Sequence, residues 1–185
     1  MNTLSLFIVA LGLSMNCFGI AIANSSISGK VKTGIPLKTA IAFGLSHFIL
    51  AFGGYYIGRL LQPMVSGVED WAVFVIFLII GIKMIAEALM KKPEAKVFDI
   101  NSARVILALS VALGMNALLA GLAMGIWHAP IMLAAFAIFS AVSFFTLSGL
   151  AGGQHLGMGF AKGVFHLGGA LFVLSGLSFV LPKLF

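Results

Sequence analysis

Two asparagines, Asn16 and Asn116, are the residues of this chain whose type and spacing first suggest chemistry. Each follows a methionine inside a long apolar run, LGLSMNCFGIAIA and VALGMNALLAGLAM, and the two lie 100 residues apart. Polar residues inside apolar spans are costly and tend to mark substrate or ion pathways. The matched placement predicts that two carboxamides face each other and offer oxygen ligands to a substrate. Hydrogen bonding between helices is the structural alternative.

A histidine lies in a third apolar run, FGLSHFILAFGG. His47 sits about ten residues into that run and is the ionisable group placed most clearly in the middle of a span. A neutral imidazole could ligate a metal ion, and the side chain could carry a proton near neutral pH. We therefore place His47 with the two asparagines as a candidate metal site, with a structural hydrogen bond as the alternative.

Sulfur-containing residues flank both asparagines. Met15, Met115 and Cys17 would suit soft ions such as Cu(I) if they acted as ligands. Methionine also fills irregular gaps readily, and neighbours on a helix point about 100° apart, so both cannot face the site equally. We include all three as candidate binding residues, although packing is the favoured role.

One pair of opposite charges lies near the end of a further apolar run. Lys83 and Glu87 are four residues apart, which stacks them on one face of a helix. A structural or snorkelling pair is favoured over a gate.

The composition indicates an integral membrane protein. The chain has 185 residues, of which 61% are hydrophobic and 9% are charged, whereas soluble domains carry roughly a quarter charged residues. Continuous apolar runs of this length predict helices rather than strands, and the bilayer is the expected environment. Nucleic-acid binding is not expected, because the basic residues lie in short loops. Six runs are long enough to span: 3–23, 37–61, 71–90, 104–126, 130–153 and 163–182.

The loops predict the topology. Lysines and arginines fall mainly in alternate loops, which should be cytoplasmic, so both termini should lie outside. Three spans on each side of a polar linker predict two inverted-topology repeats, residues 1–90 and 104–185 joined by 91–103, with a site near the midplane. Matching positions support the duplication: Leu13, Met15, Asn16 and Ala23 with Leu113, Met115, Asn116 and Ala123; Gly54 and Gly58 with Gly149 and Gly153; Gly81 with Gly176.

Motifs for catalysis are missing from the sequence. There is no nucleotide-binding GxxxxGK[ST], no HExxH and no GxSxG, so we expect neither an enzyme nor ATP-driven transport by this chain. No cofactor is expected, although a transported metal ion is compatible with the site. Oligomeric state stays open, with a homodimer among the options.

Several motifs resemble those of the MntP-type manganese efflux pumps, small bacterial inner-membrane exporters of the lysine-exporter superfamily. The resemblance rests on Ser14-Met15-Asn16-Cys17-Phe18, Gly114-Met115-Asn116-Ala117, Phe43-Gly44-Leu45-Ser46-His47 and Gly81-Ile82-Lys83-Met84-Ile85-Ala86-Glu87. It covers nearly the whole chain. It implies a multi-pass protein of the inner membrane that exports manganese or another divalent metal cation.

The departures from the family pattern fall on the site itself. The resemblance implies aspartates where this chain has Asn16 and Asn116, and Glu or Gln where it has His47. Losing two carboxylates removes the charge that would hold Mn²⁺ in a low-dielectric site. A softer metal ion, or a neutral or zwitterionic solute, therefore stays as an alternative substrate. A membrane thiol relay is less favoured, since the repeat mate of Cys17 is Ala117, and a non-transport assembly role also remains.

Overall fold

A computed structural model describes residues 3–28, 34–90 and 102–184. Its helices are α1 (Thr3–Ser28), α2 (Ile35–Leu61), α3 (Glu69–Met90), α4 (Ala103–Ile126) and α5 (Ile131–Leu184), with a short 3₁₀ turn at Gln62–Val65. These described ranges contain no strand. All five α-helices contain a stretch long and apolar enough to cross a membrane. The predicted all-helical class is thus confirmed for the described residues, with five helices of membrane-spanning length.

The first four predicted spans each fall within one helix, and the last two both fall within α5. The separation of α5 into a fifth and a sixth span stays a prediction. Residues 91–101 of the predicted linker lie outside the described residues, as do the loop lysines Lys30, Lys32, Lys91, Lys92 and Lys96.

Local sequence accounts for where several helices begin. Gly34 precedes α2 with a φ of 90°, a left-handed conformation that glycine adopts without strain, and Pro36 follows in the first turn. Glu69 and Asp70 occupy the first turn of α3, where negative charge favours the helix dipole. Pro130 directly precedes α5.

The 54-residue helix α5 is interrupted at Gly157, whose φ of 74° and ψ of 171° are not helical. The ring of Phe18 on α1 lies 5.3 Å from that of Phe145 and 6.4 Å from that of Phe160, on opposite sides of the interruption. In a straight helix those two phenylalanines would be about 22 Å apart. The chain therefore turns back at Gly157.

The two parts of α5 pass along α1 in opposite directions. Before the turn, Gly149 approaches Phe18 and Gly153 approaches Ile22. After the turn, Gly168 approaches Met15 and Phe172 approaches Gly12, so the numbering now runs against α1. Contact with both parts encloses α1: 78% of its most apolar stretch is buried, against 33% in α2 and in α3. The first asparagine is therefore carried by the most enclosed helix.

Glycines bring α2 and α4 into close contact. A methyl group on Gly54 would overlap the carbonyl oxygen of Leu118, and one on Gly58 would overlap that of Leu122. Small residues at such crossings let helix backbones approach in a membrane, where packing replaces the hydrophobic effect between helices. The second asparagine, on α4, is thereby fixed against the helix that carries His47.

Large apolar side chains also cover the outside of the bundle. Leu60, Phe144 and Phe136 are more than half exposed, and similar residues occur on every helix. Such a surface would be a liability in water and is expected in lipid.

Candidate functional site

The contact between α1 and α2 contains a buried thiol–imidazole pair. Cys17 and His47 are both fully buried, and Cys17 Sγ lies 3.5 Å from His47 Nε2. His47 Nδ1 lies 2.8 Å from the carbonyl oxygen of Phe43, which can only accept a hydrogen bond. Nδ1 therefore carries the proton in the neutral ring, Nε2 keeps its lone pair, and the thiol of Cys17 donates to it. The imidazole thus presents a ligand atom to the helix that carries Asn16.

Asn16 lies next to this pair in sequence and is 5% exposed. No hydrogen bond of its carboxamide occurs within the part of the chain that the structure describes. A buried amide normally has partners. Of the two candidate asparagines, Asn16 is therefore the one whose carboxamide is not held by another side chain among the described residues.

Asn116 is equally buried, at 4% exposure, but it is partnered. Its Oδ1 accepts a hydrogen bond of 3.1 Å from Nζ of Lys83 on α3. The two carboxamides were predicted to face each other, and no hydrogen bond joins them in residues 3–28, 34–90 and 102–184. A cation reaching Asn116 would meet an ammonium group first.

The second member of the predicted charged pair, Glu87, is half-buried one turn further along α3. The bond of Lys83 to Asn116 links this pair to the asparagine site, a contact the i, i+4 spacing did not indicate.

The two methionines occupy different environments. Met15 is 8% exposed and packs beside Gly168, which Met84 also approaches. Met115 is 45% exposed and faces the outside of the bundle. Met115 thus lies outside the buried environment of Asn116, whereas Met15 is buried like Asn16.

Polar groups at one end of the bundle were not identified from the sequence as site residues. Trp127 Nε1 donates to Asp70 Oδ1 at 2.5 Å, and Arg59 contacts His128 Nδ1. Asp70, Trp127 and His128 line a cavity of about 300 Å³, and Arg59 lies beside it through its contact with His128. The sequence does not indicate that these residues meet, because polar and aromatic residues are common at the ends of membrane-spanning helices.

Among the described residues, no three His, Cys, Asp or Glu side chains are arranged to hold a metal ion. Any metal ligation in the middle of the bundle would therefore need asparagine, methionine or backbone groups in addition to Cys17 and His47.

Comparison with known proteins shows the family of this chain. The sequence profile described as "Mntp: Putative manganese efflux pump" matches residues 30–180. The chain belongs to this family. The matched region includes His47, Lys83 and Asn116, so the resemblance drawn from the motifs is confirmed.

Relatives cover the whole length. A protein of Methanothermobacter thermautotrophicus named "Putative manganese efflux pump MntP" is 30% identical over 99% of this chain and 98% of the relative. Proteins of the same name from Bacteroides thetaiotaomicron and Methanobrevibacter smithii are 29% and 28% identical, covering 100% and 97% of this chain and 99% and 97% of their own lengths. No solved structure matches the chain.

Proposed function

We propose that this chain is a secondary transporter of the inner membrane that exports a metal cation, with manganese as the first candidate. Its substrate site would lie between two halves and involve Asn16, His47 and Asn116. The observation that carries the proposal is the buried contact of Cys17 with His47, on a helix that also buries Asn16, in the apolar interior of a chain from a family named for manganese efflux.

The depth of these residues supports a site near the midplane. Asn16 in α1, His47 in α2 and Asn116 in α4 each lie within two residues of the middle of their helix. Substrate sites of secondary transporters with inverted repeats occur at this depth.

Repeated contacts support six spans in two inverted repeats. Gly54 packs on Leu118, and Gly149 packs on Phe18. Gly149 lies 95 positions after Gly54, and Phe18 lies 100 positions before Leu118. Likewise, Gly58 packs on Leu122 and Gly153 on Ile22. Each half thus sets its second helix against the first helix of the other half. Because the chain turns back at Gly157, α5 would cross the membrane twice. Together with α4, the second half would then have three spans.

The third helix of each half follows the same rule. A methyl group on Gly81 would lie 2.8 Å from the carbonyl oxygen of Gly169, and one on Gly176 would lie 3.3 Å from that of Phe74. Position 176 is 95 residues after 81, and 169 is 95 after 74, so one contact is the image of the other. This is the exchange that a pseudo-two-fold axis requires.

A softer cation is the second candidate. A tetrahedral metal ion binds sulfur at about 2.3 Å and nitrogen at about 2.0–2.1 Å, which places a sulfur ligand and a nitrogen ligand roughly 3.5 Å apart. Cys17 Sγ and His47 Nε2 are 3.5 Å apart. Binding would release the thiol proton and supply one negative charge that the asparagines lack. Export would then exchange a metal ion for a proton.

Metal content in a deletion strain tests both candidates. Cells lacking the chain should retain more of the exported metal and be more sensitive to it, and expression of the wild type should reverse both effects. Cys17→Ser should leave manganese export intact but abolish export of a thiophilic ion. Unchanged cellular Mn, Fe, Zn and Cu would refute metal export.

A further inference from the structure

An apolar groove lies on the surface of the bundle along the first turns of α3. Its volume is about 520 Å³, and each residue that lines it is apolar. From Val68 to Ile76 the groove follows α3 for about two turns, or roughly 12 Å. Trp71 and Val75 in its wall are each about half exposed. In a bilayer, the partner that matches this groove in shape and polarity is a hydrocarbon chain.

The groove adjoins the polar cavity at the same end of the bundle. Ile126 lines both of them, and Glu69 lines the cavity. Glu69 precedes Ala72 and Ile76 of the groove by three and seven residues, so its side chain lies on the same face of α3. A molecule with an apolar chain in the groove would therefore have its polar end at this cavity.

The charged groups at the cavity fit a head group that carries both signs. Arg59 is exposed and reaches the cavity through its contact with His128. Glu69 accepts a hydrogen bond of 3.2 Å from the backbone of Gly67, and no ion pair joins it to Arg59 within the described ranges. A guanidinium group matches phosphate oxygens, and a carboxylate accepts hydrogen bonds from an ammonium group. Because Asp70 supplies a second carboxylate, an anionic head group is disfavoured.

We propose that this end of the bundle binds one phospholipid whose head group carries a phosphate and a primary ammonium, as in phosphatidylethanolamine. Arg59 donates to the phosphate, Glu69 accepts from the ammonium, and one acyl chain lies in the groove. A choline head group has no N–H to donate, and a glycerol head group has no positive charge for Glu69. The proposal does not depend on transport or on the metal site.

The two tryptophans of the chain report directly on this site. Trp71 lines the groove and Trp127 lines the cavity, and brominated acyl chains quench the fluorescence of tryptophans that they contact. The full-length protein is placed in phosphatidylcholine liposomes that contain equal small fractions of a brominated lipid with an ethanolamine, choline or glycerol head group. We expect the ethanolamine lipid to quench about threefold more strongly than the other two, the size of effect that exposed charge pairs provide.

Equal quenching by the three brominated lipids would show unselective boundary lipid only and would overturn the proposal. Strongest quenching by the lipid with the glycerol head group would assign an anionic lipid and would overturn it as well.

Charge variants test the head-group contacts. Glu69→Gln and Arg59→Gln should each remove the preference for the ethanolamine lipid over the choline lipid, because each loses one of the two opposite charges. Lys38→Gln is the control, since it removes a positive charge near the other end of α2, about 31 Å away along the helix, and should keep the preference. An undiminished preference in Glu69→Gln would contradict the proposed head-group contacts.

A substitution in the groove tests the acyl-chain contact. Val75→Phe fills the groove and should reduce quenching by the ethanolamine lipid to the level of the choline lipid. Val111→Phe is the control, because Val111 lies outside the groove on α4 and is similarly exposed, at 53% against 47% for Val75. Unchanged quenching in Val75→Phe would contradict a chain in the groove. A dimer that Val75→Phe alone makes monomeric would assign the groove to a second copy and would overturn the lipid site.

Discussion

At the scale of single residues, the two site asparagines are chemically unequal. Asn116 Oδ1 is held by Lys83 Nζ at 3.1 Å. In the predicted repeat, Lys83 corresponds to Ser178, whose hydroxyl donates to Ser175 O at 2.7 Å on its own helix. Within residues 3–28, 34–90 and 102–184, no lysine or arginine is hydrogen-bonded to Asn16. A transported cation could use the Asn16 oxygen directly, but it would have to displace an ammonium group to reach Asn116.

Removing that ammonium should strengthen cation binding. We expect Lys83→Gln to lower the apparent KM for the exported metal by about threefold to tenfold. This corresponds to a gain of roughly 1 kcal/mol in the binding free energy, because the ammonium group no longer competes with the metal ion for Asn116. Lys83→Arg keeps the charge and should resemble the wild type. Metal-dependent flux in proteoliposomes measures this, and a weaker apparent affinity in Lys83→Gln would contradict the competition.

Carboxylates in place of the two asparagines should strengthen manganese binding. We expect the Asn16→Asp/Asn116→Asp double variant to bind Mn²⁺ at least tenfold more tightly than the wild type, because a buried divalent ion needs compensating charge. Asn16→Asp alone should contribute more than Asn116→Asp, whose new charge would pair with Lys83. Isothermal titration checks both. Equal or weaker binding by the double variant would show that charge was not the deciding change.

The sequence identified the buried asparagines and His47 from their position in apolar runs. It could not identify the partners that define their chemistry. The Cys17–His47 contact joins residues 30 apart, and the Lys83–Asn116 bond joins residues 33 apart. Both depend on how helices rotate and cross, which apolar periodicity alone does not determine.

At the scale of elements, backbone-to-backbone packing at glycines holds α2 against α4. Gly58→Ala would place a methyl group against the carbonyl oxygen of Leu122, so the helices would have to separate. We expect a loss of about 1–3 kcal/mol or more, seen as a thermal midpoint lower by roughly 5 °C.

Gly53 provides the matched control on the same helix. An added Cβ there meets nothing within 4 Å, and alanine is the better helix former. Gly53→Ala should therefore leave the midpoint unchanged or raise it slightly. Equal loss in Gly53→Ala and Gly58→Ala would show that the crossing is looser than the structure indicates.

The turn within α5 depends on one backbone conformation. Gly157 has a φ of 74° and a ψ of 171°, a region that side chains disfavour. Gly157→Ala should cost about 1–3 kcal/mol from strain alone. Gly159→Ala is the control, because its Cβ meets nothing within 4 Å and its φ is not positive. Chemical denaturation in micelles compares the two, and similar stabilities would argue against a strained turn.

At the scale of the whole molecule, the alternating placement of basic loops predicts the orientation. Alkaline phosphatase fused after Phe185 should be active and a fluorescent protein there should be dark, since the C-terminus is expected outside. Fusions at Gly157 should give the reverse pattern, because the predicted sixth span, residues 163–182, lies between the two points. Matching signals at both points would contradict the six-span arrangement.

The fold class could be predicted from the sequence more completely than any other part of the architecture. Apolar runs of spanning length located α1 to α4 closely, because lipid permits few alternatives to helices. The sequence did not predict that α1 continues to Ser28, nor that the helical parts of α5 extend close to Gly157 from both sides. Both extensions run through less apolar residues that hydropathy alone assigns to loops, and tertiary contacts with neighbouring helices stabilise them there.

Metal flux measured with the purified protein tests the central claim most directly. In proteoliposomes loaded with a metal-sensitive dye, the wild type should move Mn²⁺ or a thiophilic ion, and Asn16→Ala and His47→Ala should each reduce the rate at least tenfold. Met115→Leu, altered on the exposed face of α4, should keep the wild-type rate. Full flux in both Asn16→Ala and His47→Ala, or no metal flux by the wild type, would contradict a metal site at the centre of this bundle.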